Sequence, residues 1–254
     1  MDERLIRLGP ADQLFGVYHA SDGPGPAVVF CAPFAEEKKC SYRTFVEAAR
    51  VFAGAGIPCL RFDYFGTGDS AGAFSDFSVG RAVADIAAAA EAVRGLSGGP
   101  GVTLLGLRLG GSLALAAAPR AGAERVILWQ PVVSGRAFFD LAIRRQMLRR
   151  QLIGGGGAAS DDAEVIDLDG FPLSRSAGEA IRALDGAAAA AAFDGPIHLL
   201  QVAHSEALSG ENRQLAGSAG DRLSAACVVC EPFWNRIDHA DPSAVIARTL
   251  EWLV

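Results

Sequence analysis

The chain has 254 residues, half of them hydrophobic, and a formal net charge of −6. This length and composition allow one domain with a full hydrophobic core. The negative net charge and the dispersed basic residues exclude the clustered positive surface that is typical of nucleic-acid-binding proteins. We therefore expect a small molecule or another protein as the partner, and a homo-oligomer stays open.

The polar N-terminus and the scattered cysteines favour a cytoplasmic protein. Residues 1–10 contain no apolar core of signal-peptide length, and no apolar run approaches the ~20 residues that span a bilayer. Five cysteines without scaffold spacing predict reduced thiols. Cys227 and Cys230 have no second ligand pair beside them, so we expect neither a metal site nor another cofactor.

In the first part of the chain, apolar runs of strand length alternate with stretches of helical periodicity. This alternation is typical of a mostly parallel sheet covered by crossover helices on both faces. The predicted elements are strands at 27–32 and 57–62, helices at 41–55 and 78–94, and a turn-rich loop at 63–72.

The second part of the chain continues the alternation, interrupts it, and then resumes it. We predict strands at 101–105, 125–130, 197–203 and 225–230. A helix follows the strand 101–105 and ends near Pro119. The last helix has Asp241 as N-cap and Pro242 at its first position. Residues 134–195 break the pattern and are interpreted as a cap-like insertion within one domain spanning 1–254. The fold prediction is a three-layer α/β domain of the α/β-hydrolase type.

The strongest motif is Gly106-Leu-Arg-Leu-Gly110, which lies between a predicted strand and a predicted helix. It has the spacing of the G-x-S-x-G nucleophile elbow, where small residues permit a sharp turn. Arg108 occupies the nucleophile position, and a guanidinium can neither attack an acyl carbon nor act as a base at physiological pH. The chain therefore cannot be an ordinary serine esterase.

Two interpretations of Arg108 remain open. Its donors, together with the helix N-terminus behind it, would suit a carboxylate, a phosphate or an oxyanion, which favours an anionic substrate. Alternatively, Arg108 pairs internally with Glu36 or Glu37 and holds two loops together. In a binding protein, Glu206 is a third possible partner of Arg108.

Two further residues stand where the fold places the other triad members. Glu206 follows the predicted strand 197–203, and His239 precedes the last helix, which gives the chain order elbow, acid, histidine. A histidine held by a carboxylate is the usual general base. The alternative is that His239 is an ordinary loop histidine beside a helix N-cap.

Two loops complete the predicted site. The backbone amides of Phe34, Ala35 and Leu109 lie where the fold forms its oxyanion hole, while Glu36 and Glu37 are either catalytic carboxylates or solvated loop charges. The segment 63–70, Asp-Tyr-Phe-Gly-Thr-Gly-Asp-Ser, has the glycines of a tight turn, and its aspartates can accept hydrogen bonds from backbone amides.

The chain resembles the α/β-hydrolase superfamily, and more closely the exosortase A system-associated hydrolases of the second type. The resemblance rests on segments 32–39, 63–70, 105–111, 128–135, 169–174 and 231–234. Trp129 and Gln130, together with the arginine-containing elbow, are the more specific matches, and we include Trp129, Gln130 and Trp234 among the pocket candidates.

The resemblance implies an α/β-hydrolase fold, an arginine retained at the elbow, and a hydrolase encoded near bacterial exopolysaccharide and protein-sorting genes. It implies no particular substrate. The sequence departs from the pattern at residues 36–39, where an asparagine or methionine is expected nearby, and in the region of His239.

Two functional hypotheses follow. In the first, Glu206 and His239 act without a covalent intermediate on a small anionic acyl, ester or thioester compound. In the second, the chain is a catalytically inactive binding or scaffold protein in a biosynthetic or export pathway. An open cavity lined by Arg108 and His239 would favour the enzyme, whereas Arg108 buried in a paired network would favour the binding protein.

Ser112 and Cys31 are weaker nucleophile candidates, because attack requires a base within hydrogen-bond reach.

Overall fold

In the computed structural model the described residues are 2–23, 25–152, 164–168, 170–236, 238 and 240–254. The strands within these ranges are β1 (Asp2–Leu8), β2 (Leu14–Ala20), β3 (Ala27–Cys31), β4 (Cys59–Phe62), β5 (Val102–Leu107), β6 (Arg125–Trp129), β7 (Val165–Leu168), β8 (Phe171–Ser174), β9 (Ile197–Ala203) and β10 (Leu223–Val229). The helices are α1 (Glu36–Gly54), α2 (Val79–Ser97), α3 (Leu109–Ala121), α4 (Gly135–Leu152), α5 (Arg175–Arg182), α6 (Gly186–Ala192), α7 (Gly210–Ala219) and α8 (Ser243–Leu253).

The main sheet has eight strands in the order β1-β2-β4-β3-β5-β6-β9-β10. Strands β1 and β2 are antiparallel to their neighbours, and the other pairs are parallel. Helix α2 packs along α3, and α1 contacts α8, so helices cover the sheet in two layers. This arrangement is the mostly parallel, helix-covered sheet that the alternation of elements predicts.

The centre of the sheet explains why the core strands are apolar throughout. Every residue of β3 and β5 is buried, as expected for parallel strands that are covered on both faces. In the register of this pair, Cys31 lies beside Gly106. The loops that follow the two strands therefore meet at the same edge of the sheet, and the predicted elbow lies in one of them.

Several elements and boundaries differ from the sequence prediction, among them the following. The sequence prediction lacks β1, which is mostly exposed and whose polar sequence has no apolar face. It also lacks β2, although that strand is mostly buried. Helix α1 begins at Glu36 rather than at residue 41, since its first turn consists of charged residues without apolar periodicity. Helix α8 begins at Ser243 with Pro242 as N-cap, one residue later than predicted, and Asp241 accepts a hydrogen bond from the Ser243 amide over 2.9 Å.

The segment 134–195 contains α4, the antiparallel hairpin β7–β8, α5 and α6. The Phe171 ring of β8 lies 5.0 Å, between centroids, from Phe74 in the connection between β4 and α2. From α4, the Phe138 ring approaches the Arg108 guanidinium to 5.8 Å. The segment thus packs on the loops that follow β4 and β5. The glycine run 154–157 and Asp169 lie outside the described residues.

No helix among the described residues is long and apolar enough to cross a membrane. The five cysteines are unpaired, with Cys31 and Cys59 buried. Across the described part of the chain, no group of three or more histidine, cysteine or acidic side chains is placed to hold a metal ion.

Candidate functional site

The elbow between β5 and α3 adopts an unusual backbone conformation. Arg108 has φ 54° and ψ −122°, a region that side chains other than glycine rarely occupy. Its amide donates to the Trp129 carbonyl over 3.0 Å, and its carbonyl accepts from the Gly111 and Val132 amides over 3.0 and 3.2 Å. Hydrogen bonds on both sides of the residue therefore hold this conformation.

The glycines of the motif are required by close backbone approaches. A Cβ atom on Gly106 would lie 2.4 Å from the Gly110 carbonyl oxygen, and one on Gly110 would lie 2.1 Å from the Cys31 carbonyl oxygen. No real Cβ contact is that short, so only glycine fits at either position. The start of α3 is thereby pressed against the end of β3.

The Arg108 side chain lies in a paired network. Its Nε donates to Glu37 Oε1 over 3.1 Å, and its Nη1 donates to the Gln130 carbonyl over 3.3 Å. The guanidinium carbon also lies 5.8 Å from the Phe138 ring centre and 5.5 Å from that of Trp234. Only 20% of the Arg108 side chain and 16% of the Glu37 side chain are exposed. Of the predicted partners, the structure therefore selects Glu37.

Glu37 is the titratable group most affected by this arrangement. Its second oxygen, Oε2, is buried and has no hydrogen-bond partner among the described residues. Burial raises the pKa of the Glu37 carboxyl above its ordinary value, while Arg108 and, less strongly, Arg145 oppose the shift. The carboxylate is thus held in place mainly by a single charged partner.

The loop after β3 repeats the backbone geometry of the elbow. Ala35 has φ 51° and ψ −124° and is the N-cap of α1, just as Arg108 is the N-cap of α3. Phe34 is buried beside it, and Leu109 is fully buried at the start of α3. Glu36 is exposed and pairs with Lys39 over 3.3 Å, so it belongs to the surface and not to the Arg108 network.

The remaining predicted site residues are distributed over three environments. Trp129 is completely buried and donates from Nε1 to Thr249 Oγ1 over 2.8 Å, which makes it a core residue. Gln130 contributes its carbonyl to Arg108, and its Oε1 accepts from the Val202 amide over 2.9 Å. Trp234 is buried against Arg108.

Among the described contacts of Arg108, none involves the predicted acid, Glu206. Glu206 is exposed after β9, close enough to Cys227 to raise the pKa of that thiol, although burial is the larger cause. His239 lies outside the described residues. The Glu206–His239 pair therefore stays a prediction.

The two weaker nucleophile candidates have structural roles. Ser112 is buried and donates its hydroxyl to the Val132 carbonyl, which ties α3 to the segment after β6. Cys31 is fully buried in β3, and burial raises the pKa of its thiol far above the ordinary value. Neither group presents a reactive atom at the elbow.

A cavity of about 580 Å³ opens beside the loop after β3. Its lining comes from that loop, from the start of α1, from the loop after β4 and from hairpin β7–β8, and Arg108 is not part of it. Among the lining residues are the rings of Phe34, Tyr64, Phe74, Phe77 and Phe171. Sequence analysis missed this cavity, because its walls come from segments more than a hundred residues apart.

Solved structures with the same architecture span nearly the whole chain. The α/β hydrolase GrgF from Penicillium sp. superposes with a TM-score of 0.69 at 15% identity, covering 100% of this chain and 98% of its own. DcsB, solved with an analogue of its substrate, gives 0.67 at 16% identity, covering 99% and 98%. The mouse α/β hydrolase domain-containing protein 10 gives 0.59 at 16% identity, covering 88% of each chain.

These similarities show that the chain has the α/β-hydrolase fold, which confirms the predicted fold class. No protein-family model matches the chain, and no curated protein matches it either. At these identities the shared fold does not define a substrate or a reaction.

Proposed function

We propose that this chain is a non-hydrolytic binding protein built on the α/β-hydrolase fold, in which Arg108 closes the position of the nucleophile. The observation that carries this proposal is the network around the guanidinium: Glu37, the Gln130 carbonyl, and the rings of Phe138 and Trp234. The elbow keeps its backbone geometry but presents a paired cation instead of an attacking atom.

Acyl transfer at this elbow would need a nucleophile and a place for the acyl group. The guanidinium stays protonated and has no accessible lone pair, so it cannot supply the first. Its ion pair with Glu37 and its two neighbouring rings would also compete with the acyl group for the place beside the turn. Breaking the pair would leave two partly buried charges without partners, which makes opening of the elbow costly.

The wider setting of this function rests on the sequence. Within one domain, residues 134–195 would serve as a cap over the loops that follow β4 and β5. The Gly-Leu-Arg-Leu-Gly elbow and the Trp129–Gln130 segment support a place among the exosortase A system-associated hydrolases, and hence a role in a bacterial biosynthetic or export pathway. The partner would be a small molecule in the cytoplasm.

A second candidate function is an enzyme that acts without a covalent intermediate. In it, Glu206 and His239 would activate water against a small anionic acyl, ester or thioester compound. The observation in its favour is the matching geometry of Ala35 and Arg108, which places the N-termini of α1 and α3 side by side at one edge of the sheet. Adjacent helix N-termini favour bound anions.

A panel of esters and thioesters separates the two candidates. We would compare the wild type with His239→Ala, with Arg108→Ser, and with Arg108→Ser combined with Glu37→Ala. Arg43→Ser, which removes an exposed cation on α1, would serve as the control. The binding protein predicts no turnover above buffer in the wild type and activity gained only when serine replaces Arg108. Wild-type turnover that disappears in His239→Ala would overturn this proposal and establish the enzyme.

A further inference from the structure

The chain contains only two lysines, Lys38 and Lys39, against 21 arginines. Both lysines line the 580 Å³ cavity beside the loop after β3. Lys38 directly follows Glu37 in the first turn of α1, so one short segment contributes both to the Arg108 network and to the cavity wall. The cavity thus combines an aromatic lining with primary amines.

The two lysines differ in how firmly they are neutralised. Lys38 Nζ lies 2.6 Å from Asp63 Oδ1, and both side chains are mostly buried. Lys39 pairs with Glu36 over 3.3 Å, but 66% of the Lys39 side chain is exposed. Exposed ion pairs of this kind contribute little to stability and are screened by salt. Lys39 is therefore the cation that an incoming ligand can engage.

The ammonium of Lys39 is positioned at the rim of the cavity. Its Nζ lies 4.8 Å from the centre of the Phe171 ring, which itself lines the cavity. Phe171 continues inward through Phe74 and Phe34, with ring centroids 5.0 and 5.2 Å apart in successive pairs. An apolar wall thus leads from a cation at the rim toward the loop after β3.

From this arrangement we propose that the cavity binds a monocarboxylate with an apolar body, an aromatic ring or an acyl chain, whose carboxylate meets Lys39. The inference rests on the proposed binding function and names its ligand class. The volume lies within the range of small-molecule sites, and such sites combine apolar walls with a few polar groups that fix orientation. Asp69 also lines the cavity and is exposed, so a cationic ligand is the competing outcome that the test must measure.

Calorimetric titration with three ligands of one shape tests the charge preference. The probes are 4-phenylbutyrate, 4-phenylbutan-1-ol and 4-phenylbutylamine, with octanoate added to compare a chain with a ring. We expect the carboxylates to bind at least fivefold more tightly than the alcohol, and the amine to bind most weakly. Absence of binding by all four, or tighter binding of the amine than of the carboxylates, would overturn the proposal.

Variants then test the role of Lys39. Lys39→Met keeps the apolar stem and removes the charge, so the preference for carboxylate over alcohol should disappear while alcohol binding is unchanged. Arg43→Met, one turn further along α1 and outside the cavity lining, should keep the preference. A preference that survives in Lys39→Met would show that another group recognises the carboxylate.

Acetylation gives an independent measurement on the unmodified protein. Because Lys38 and Lys39 are the only lysines, acetic anhydride followed by hydroxylamine, which removes acetyl groups from tyrosine and cysteine, leaves the label on these two side chains and the terminal amine. We expect 4-phenylbutyrate to slow the labelling of Lys39 several-fold and 4-phenylbutan-1-ol to slow it less. Equal labelling of Lys39 with and without 4-phenylbutyrate would contradict the proposal. This binding readout is separate from the ester assay, so failure of one proposal is distinguishable from failure of the other.

Discussion

Two loops at the carboxyl ends of neighbouring parallel strands have the same backbone and different surroundings. Ala35 after β3 and Arg108 after β5 agree within 3° in φ and 2° in ψ, and each caps a helix. Beside Ala35 the structure opens into a cavity, whereas at Arg108 a side chain with a carboxylate partner fills the turn. The fold fixes the shape of both turns, and the side chains decide which of them can receive a ligand.

The two loops also depend on each other, and the largest expected effect comes from separating them. Gly110→Ala would place a methyl group 2.1 Å from the Cys31 carbonyl oxygen and 2.4 Å from that of Ala32. Backbone atoms cannot move aside as a flexible side chain can, so we expect a loss of more than about 3 kcal/mol in the free energy of unfolding. Urea unfolding followed by circular dichroism measures this loss.

The matched control for that substitution is Gly95→Ala in α2, where an added Cβ meets nothing within 4 Å. There, alanine should be neutral or stabilise by up to about 1 kcal/mol, because it favours the helix. Similar destabilisation by both substitutions would mean that the contact between the two loops is not what requires glycine.

A smaller loss of stability is expected from breaking the Arg108–Glu37 ion pair at the elbow. Glu37→Ala leaves the partly buried Arg108 guanidinium without its carboxylate, and we expect a loss of about 2 kcal/mol. Adding Arg108→Met should recover part of that loss, with a coupling of about 1 kcal/mol in a double-mutant cycle. Glu47→Ala, which breaks the more exposed pair with Arg43, should cost less than about 0.5 kcal/mol. Additive effects of Glu37→Ala and Arg108→Met would contradict the assigned pairing.

The smallest effect is a pH dependence that comes from Glu37, the partner of the elbow arginine. In the unfolded chain the Glu37 carboxyl has its ordinary pKa of 4.5, whereas burial raises its pKa in the folded chain. Between these two values the folded state binds more protons, so the free energy of unfolding decreases as pH rises through the window that begins near 4.5. Glu37→Gln cannot titrate, and its stability should not show this decrease. Parallel pH profiles for the wild type and Glu37→Gln would show that the shift is absent.

Much of the scaffold could be predicted because its signals are local. The continuous apolar run of β3 and the periodicity of Phe45, Ala48 and Phe52 in α1 depend only on nearby residues. Polar β1 gave no such signal, since an edge strand that pairs on one side has little apolar surface to bury. The start of α1 was predicted too late for the same reason: its first turn is charged.

The site was predictable only where the motif itself defines the backbone. The elbow spacing located Arg108, and the acidic residues expected near it limited its internal partners to Glu36, Glu37 or Glu206. Choosing between these required the direction of α1, which points Glu37 at the elbow and leaves Glu36 exposed. Phe138 and Phe171 come from residues 134–195, where no local pattern indicates which loop each ring will contact.

The conformation of Arg108 makes the chain a ready scaffold for engineering. Building a nucleophile into a protein usually demands a new strained turn, and here hydrogen bonds from three neighbouring residues already hold that turn. The chain therefore already has the backbone conformation of a nucleophile elbow, although it has no nucleophilic side chain there. A designer would need to replace the guanidinium and its buried counter-charge together, leaving every main-chain atom of the turn where it is.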